Sequence, residues 1–163
     1  MSCIKHFPGH GDTRGDTHDG TVTVDKTWEE LLGCELVPFI AALDSTDMVM
    51  AAHITAPCVT SDGLPASLSH EMVTGRLRGE LGYDGVVVTD SLEMGAIAGQ
   101  YTPAESAVLA ISAGVDIVLM PLDYTEAFEG VLQAVRDGEL TEERIDQSVL
   151  RILTLKITQG IIE

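Results

Sequence analysis

Basic side chains are scarce: nine Lys and Arg stand against 26 Asp and Glu in 163 residues, for a formal net charge of −17. Nucleic acids and anionic membrane surfaces carry the same sign, so neither is expected as a partner. Cysteine is rarer still. Cys3, Cys34 and Cys58 are odd in number and show no Cys-x-x-Cys spacing, which excludes a zinc ribbon and a disulfide framework. Three reduced thiols in a cytoplasmic protein are the expectation. No apolar run is long enough to span a bilayer, and the first residues lack the charged-then-apolar order of a secretory leader. Low-complexity stretches and inter-domain linkers are missing too, so residues 1–163 read as one domain. A hydrophobic content of 45% and a positive mean hydropathy suffice for a core and exclude disorder.

What the chain does have is alternation. Short β-branched runs are each followed by a helical pattern. "GVVVTD", Gly85 to Asp90, suits a parallel strand buried on both faces. "DIVLMP" (Asp116 to Pro121), "MVMAAHI" (Met48 to Ile54) and "SCIKHF" (Ser2 to Phe7) read the same way. Thr27 with Glu30 predicts a capping box for a helix carrying Leu32, Leu36, Ile40 and Leu43 on one stripe, kinked or ended early by Pro38. Ser69 can cap a helix bearing Val73, Leu77 and Leu81. "TPAE" at Thr102 to Glu105 opens another that Gly114 closes. Thr125 starts a fourth, ending at Gly138, and Thr141 opens a last one with Ile145, Val149 and Ile152 on its apolar face.

This βαβαβαβα order with a terminal helix predicts an α/β protein with a parallel sheet. Four such units fall short of an eight-stranded barrel, which needs ~250 residues, so a small doubly wound sheet and half a barrel both fit.

The polar chemistry gathers at corresponding places. Lys5, His6, His53 and Asp90 all fall near the C-terminal ends of predicted strands, the edge where ligands bind in either architecture. The first connection, Phe7 to Lys26, far exceeds the usual ~2–6 residues of a βα loop, which argues for a task. It holds "KHFPGHGDTRGDTH", whose His6, His10, Asp12, Asp16 and His18 suit a divalent metal. An acid–base pair fits equally. Asp16 and His18 lie two apart, on one side of an extended segment, so the aspartate can fix the tautomer and raise the imidazole pKa. A plain surface loop is the third reading. Asp90, an ordinary turn or cap residue by itself, becomes a candidate nucleophile beside such a pair.

"KHFPGHGDTRGDTHDG", "ELVPF", "GELGYDGVVVTDSLEMGAI" and "AGVDIVLMP" together resemble glycoside hydrolase family 3, in its bacterial β-N-acetylhexosaminidase branch. The similarity runs from about Lys5 to Met120 and continues more loosely into the last helices. The resemblance implies a (β/α)8 barrel, here its strands five to eight, and removal of terminal N-acetylglucosamine from β-linked glycosides such as cell-wall (peptidoglycan) fragments recycled in the cytoplasm. It implies Asp90 as nucleophile, Asp16 and His18 as the acid/base dyad, and Lys5 and His6 as sugar contacts, with no metal or other cofactor. Thr17 stands where the motif commonly has serine, which keeps the hydroxyl. His53 is expected to line the cleft and Met120 to pack.

The implied mechanism is a retaining double displacement through a covalent glycosyl-enzyme. Because imidazole repels an anion less than a carboxylate would, phosphate is expected to be able to replace water in the second step. A half barrel would expose strand edges, so a complementary half or self-association is the expected partner beside the small carbohydrate substrate. The alternatives are a catalytically silent half-barrel that binds sugar or assembles, and a metal-dependent hydrolase using the His/Asp loop.

Overall fold

The computed structural model describes residues 1–11, 13, 20 and 22–163. Strand β1 covers Cys3–Phe7, β2 Val22–Thr23, β3 Met48–Ala51, β4 Ile54–Thr55 and β5 Val86–Thr89. One parallel sheet runs in the order β1-β3-β5, and β2 pairs with β4 in a second parallel pair. A doubly wound sheet would send a later strand to the far side of the first. Here each main strand lies beside its predecessor, the order of strands in a barrel wall.

Three predicted strands form with trimmed ends. The fourth, Asp116–Pro121, reduces to one parallel bridge between Val88 and Ile117. The amides of Asp116 and Ile117 both donate to Val87 O, at 2.8 and 3.1 Å, and Thr89 N donates to Ile117 O at 3.1 Å. Beyond that, Leu119 N donates to the Thr89 hydroxyl at 3.0 Å instead of a strand carbonyl, so the ladder ends. Met120 then takes a positive φ of 46° and Pro121 brings no N–H. A regular fourth strand is therefore missing among the described residues.

The Thr27–Glu30 capping box forms and opens α1 (Trp28–Gly33). The single predicted helix splits there, and α2 (Val37–Ala42) carries Pro38 in its first turn, where a missing N–H leaves nothing unpaired. The break resets the helical phase. Trp28, Leu31, Leu36 and Phe39 point into the core, while Ile40 of the expected stripe is 46% exposed. Ser69 Oγ accepts from Met72 N at 3.1 Å, as its capping role predicts, and Val73 and Leu77 are buried. The segment Glu71–Glu80 is a π-helix, closed by Leu81 N donating five residues back to Arg76 O at 3.0 Å. A short α3 (Gly95–Ala98) was not foreseen. The second predicted box, Thr102 with Glu105, opens α4 (Pro103–Ala113), and Gly114 ends it at φ 110°. Helix α5 (Tyr124–Asp137) is capped by Asp123, which accepts from Glu126 N at 3.0 Å; Thr125 lies inside the helix instead of starting it. Thr141 caps α6 (Glu142–Thr158) as predicted.

The expected apolar face of α6 is met in part, with Ile145 and Ile152 half-buried. Val149 is 46% exposed, and the buried residue of that helix is Ser148. The cause is the fully buried carboxylate of Asp116. It accepts from Arg78 Nη2 at 2.7 Å, Val87 N at 2.9 Å and Ser148 Oγ at 2.7 Å. Arg151 Nη1 and Arg144 Nη2 stand 3.4 and 3.7 Å away. A buried charge persists only when its lone pairs are occupied, so α6 turns its polar edge inward.

One buried side chain ties two strand ends together. His53, just beyond β3, is fully buried, with Nε2 2.9 Å from Ser91 O and Nδ1 2.7 Å from Ser67 Oγ. A carbonyl only accepts, so Nε2 carries the proton and Nδ1 takes the Ser67 hydroxyl. Burial pushes this imidazole below its ordinary pKa, opposed by the Ser91 carbonyl and the nearby Asp90 carboxylate.

Two outcomes follow for stability. Asp116→Ala leaves clustered guanidinium groups unneutralised and should cost about 3–5 kcal/mol, read as a lower denaturant midpoint at unchanged slope. An unchanged midpoint would contradict this account. For His53, the unfolded chain binds the extra proton first, near pH ~6.5, so its contribution is intact above that value and lost as pH falls through the folded pKa. Denaturant unfolding at about pH 7.5 and about pH 5.5 should therefore show a weaker fold in acid, and His53→Gln should shrink the difference. Equal pH dependence in both proteins would remove His53 as its source.

Candidate active site

Phe7, Ala51 and Thr89 end β1, β3 and β5, and Lys5, His6, His53 and Asp90 lie within two residues of those ends. In β1 the register slips: Ile4 pairs with Val49 and Phe7 with Ala51, so three steps along β1 match two along β3. The extra residue is a bulge at Lys5 and His6, a device that re-aims side chains at a sheet's functional edge. Both the Lys5–His6 and Phe7–Pro8 peptide bonds are cis.

Asp90 continues the β5 line by one residue. Its amide donates to Ala51 O at 2.9 Å, so the backbone is still held by the sheet where the side chain emerges. Oδ1 accepts from Ser91 N at 2.9 Å, which fixes the carboxylate plane. Oδ2 stands 3.5 Å from His6 Nε2, and the two side chains are 17% and 28% exposed. The aspartate is thus anchored from behind and reachable from in front. Burial foremost lowers the His6 pKa; the Asp90 charge opposes this, while Lys5 and His10 add to it. The lowered pKa favours the uncharged form of this imidazole at neutral pH.

Lys5 is exposed, and its charge is felt at His6. His10 was expected only as a possible metal ligand. Its ring lies edge-on to that of His6 at 6.2 Å, and Nδ1 meets Thr13 Oγ1 at 2.5 Å. The Thr13 hydroxyl donates to His10 O at 2.8 Å, so it accepts from the ring. The structure therefore brings Lys5, His6, His10 and Asp90 to one edge.

The expectation that His53 contacts substrate is corrected. It is fully buried and both ring nitrogens are occupied, so it holds the backbone that follows Asp90 from below. Met120 is 53% exposed instead of packed. Asp12, Asp16, Thr17 and His18 lie outside the described residues, so the dyad and most of the candidate metal ligands do too. Among the described residues no group of three His, Cys, Asp or Glu side chains is placed to hold a metal ion. Ser67 and Ser91, which support the site through His53, went unnoticed in the sequence. Nothing in their local pattern marks them, because the contact joins residues 14 and 38 positions apart.

Comparison with known proteins agrees with the geometry. The family model described as the glycosyl hydrolase family 3 N terminal domain matches residues 1–155. Beta-hexosaminidase A of Pseudoalteromonas piscicida is 35% identical over 177 residues, covering 96% of this chain and 30% of that protein. A solved glycoside hydrolase family 3 beta-N-acetylglucosaminidase from Paenibacillus sp. str. FPU-7 superposes with a TM-score of 0.95 at 47% identity, over 98% of this chain and 31% of that one. A solved beta-glucoside phosphorylase superposes with a TM-score of 0.92 at 29% identity, over 99% of this chain and 31% of that one. The chain spans about a third of the length of the relatives it matches. With a parallel sheet wound in barrel order and a carboxylate presented at its C-terminal edge, the chain belongs to glycosyl hydrolase family 3.

Proposed function

We propose that this chain carries the nucleophile and the acid/base pair of a retaining β-N-acetylhexosaminidase acting on terminal N-acetyl-β-D-glucosaminides, with cell-wall fragments as the substrate class. The observation that carries the reading is Asp90: rigid behind, open in front, and beside His6 where a sugar is expected. An Asp90 oxygen attacks the anomeric carbon as the glycosidic C–O bond breaks. His18, oriented by Asp16, gives its proton to the departing oxygen. In the second step the same imidazole takes a proton from water, whose oxygen attacks the anomeric carbon and releases Asp90 as carboxylate. Lys5 and His6 hold sugar hydroxyls while this happens.

The parallel units correspond in this reading to strands five to eight of a (β/α)8 barrel. Support comes from the sequential strand order and from apolar surface left bare, with Tyr124 73% and Phe128 54% exposed. A complementary half-barrel, or a second copy, would cover it.

Release of nitrophenol from its N-acetyl-β-glucosaminide tests the reading. Asp90→Ala should lower the rate by about 10³-fold or more, and a chelator should leave it unchanged. Loss of activity on chelation would revive the metal-dependent hydrolase. Sugar binding without turnover would favour the silent module.

A second outcome is favoured by the likeness to a phosphorylase. A neutral imidazole admits phosphate to the glycosyl-enzyme, so sugar 1-phosphate should rise with added inorganic phosphate. Product ratios that ignore phosphate restrict the reaction to hydrolysis.

A further inference from the structure

The turn that carries Asp90 is held at both ends by backbone bonds. Asp90 N donates to Ala51 O at 2.9 Å, and Leu92 N donates to Leu119 O at 3.0 Å. Ser91 lies between them. Its amide, donating to Asp90 Oδ1 at 2.9 Å, sets the plane of the carboxylate. Its own side chain offers no anchor, because Ser91 Oγ is buried without a hydrogen-bond partner among the described residues. The orientation of Ser91 therefore depends on its carbonyl, and the side chain that holds this carbonyl is His53, through Nε2 at 2.9 Å.

His53 can do this in one tautomer only. Nε2 must carry the proton, so Nδ1 is left as an acceptor, and the Ser67 hydroxyl 2.7 Å away supplies the donor that favours this form. Ser67 is placed by the same strand end. Its amide donates to Ala52 O at 3.0 Å, and the short turn Ala66–Leu68 that carries it is buried throughout. The bonds form a closed circuit: from Ala52 to Ser67, His53, Ser91 and the Asp90 carboxylate, and from the Asp90 amide back to Ala51. An apolar side chain would fill the position of His53 without desolvating two ring nitrogens. What the imidazole adds is a donor fixed in direction at the Ser91 carbonyl.

We propose that His53 is a positioning residue for Asp90: with its tautomer chosen by Ser67, it holds Ser91 so that the Ser91 amide keeps the carboxylate aimed at the anomeric carbon. The proposal rests on the glycosidase reading above. Asp90 forms and then breaks the bond to that carbon, so a carboxylate turned out of line slows turnover and leaves sugar binding by Lys5 and His6 in place.

The test measures nitrophenol release from the nitrophenyl N-acetyl-β-glucosaminide by the full chain, alongside His53→Asn, His53→Gln, Ser67→Ala and Asp90→Ala. An asparagine amide extends only as far as Nδ1 does, whereas glutamine carries an N–H to the distance of Nε2. His53→Asn should lower kcat by about 10²-fold with KM changed less than about threefold, and His53→Gln should return kcat to within about tenfold of the wild type. Amide exchange at Ser91 should quicken in His53→Asn and slow again in His53→Gln, with β5 protected in both. Imidazole ¹⁵N shifts should show Nε2 protonated in the wild type and a mixture of tautomers in Ser67→Ala. Both His53 variants lose the ring and its packing, so equal losses of kcat, or protection lost across β5 as well, would mark a merely structural role and overturn the proposal. So would Ser91 exchange that ignores His53→Asn. A single tautomer in Ser67→Ala removes Ser67 from the device. Nitrophenol release that survives Asp90→Ala, or is absent from the wild type, overturns the glycosidase reading instead, and the positioning role with it, whatever exchange at Ser91 shows.

Discussion

Asp90 N donates to Ala51 O at 2.9 Å, one step past the last regular pair of the β3–β5 ladder, and the chemistry at this edge depends on that bond. A carboxylate on a loop would have to be ordered each time it reacted, against the entropy of its own backbone. Here the four-residue register from Met48↔Val86 to Ala51↔Thr89 holds β5 without slippage, and the same ladder carries the next residue. His53 secures it a second time by holding the Ser91 carbonyl. The position of the Asp90 carboxylate is therefore set by sheet pairing and core packing together.

How far this was legible in the sequence can be read from particular residues. The valines of β5 are buried on every face, which an unbroken β-branched run announces by itself. Capping chemistry was equally plain, because Thr102, Pro103, Glu105 and Gly114 act through bonds to near neighbours. The misreadings share one cause: tertiary partners. The α1–α2 stripe lost its phase because the break at Cys34–Leu36 lies within it, and only the folded neighbours show which side faces in. Helix α6 looked amphipathic on Ile145, Val149 and Ile152. Ile145 and Ile152 are half-buried as that predicts, but the fully buried position is Ser148, held by a carboxylate some thirty positions upstream. His53 read as a cleft residue because it follows a strand, yet its register turns it into the core, where two serines meet it.

Electrostatics separates the two ends of the sheet. Asp116, behind the sheet, is surrounded by Arg78, Arg144 and Arg151, a large share of the few cations this chain owns. Burial pushes the Arg78 and Arg144 guanidinium pKa values down and the Asp116 charge pushes them back, so the charges there serve one another and not a ligand. At the C-terminal edge, among the described residues, Lys5 stands beside His6 and Asp90, against an overall charge of −17. A neutral sugar is indifferent to that distant field, which salt screens beyond ~8–10 Å. The local pair is His6, whose imidazole pKa burial shifts downward, and the Asp90 carboxylate 3.5 Å from it.

The two reactive groups of the proposed mechanism sit on supports of opposite character, and their tasks explain why. The nucleophile must stand at one point through both steps, bonding to the anomeric carbon and leaving it along the same line, and a buried strand end gives that constancy. The proton carrier must serve first the departing oxygen and then an entering one, which arrive at slightly different positions and never together. A connection between elements suits that duty better than a strand, whose register holds each residue to one point. Different parts of the chain, a strand end and a connection, thus supply the two groups of the proposed mechanism.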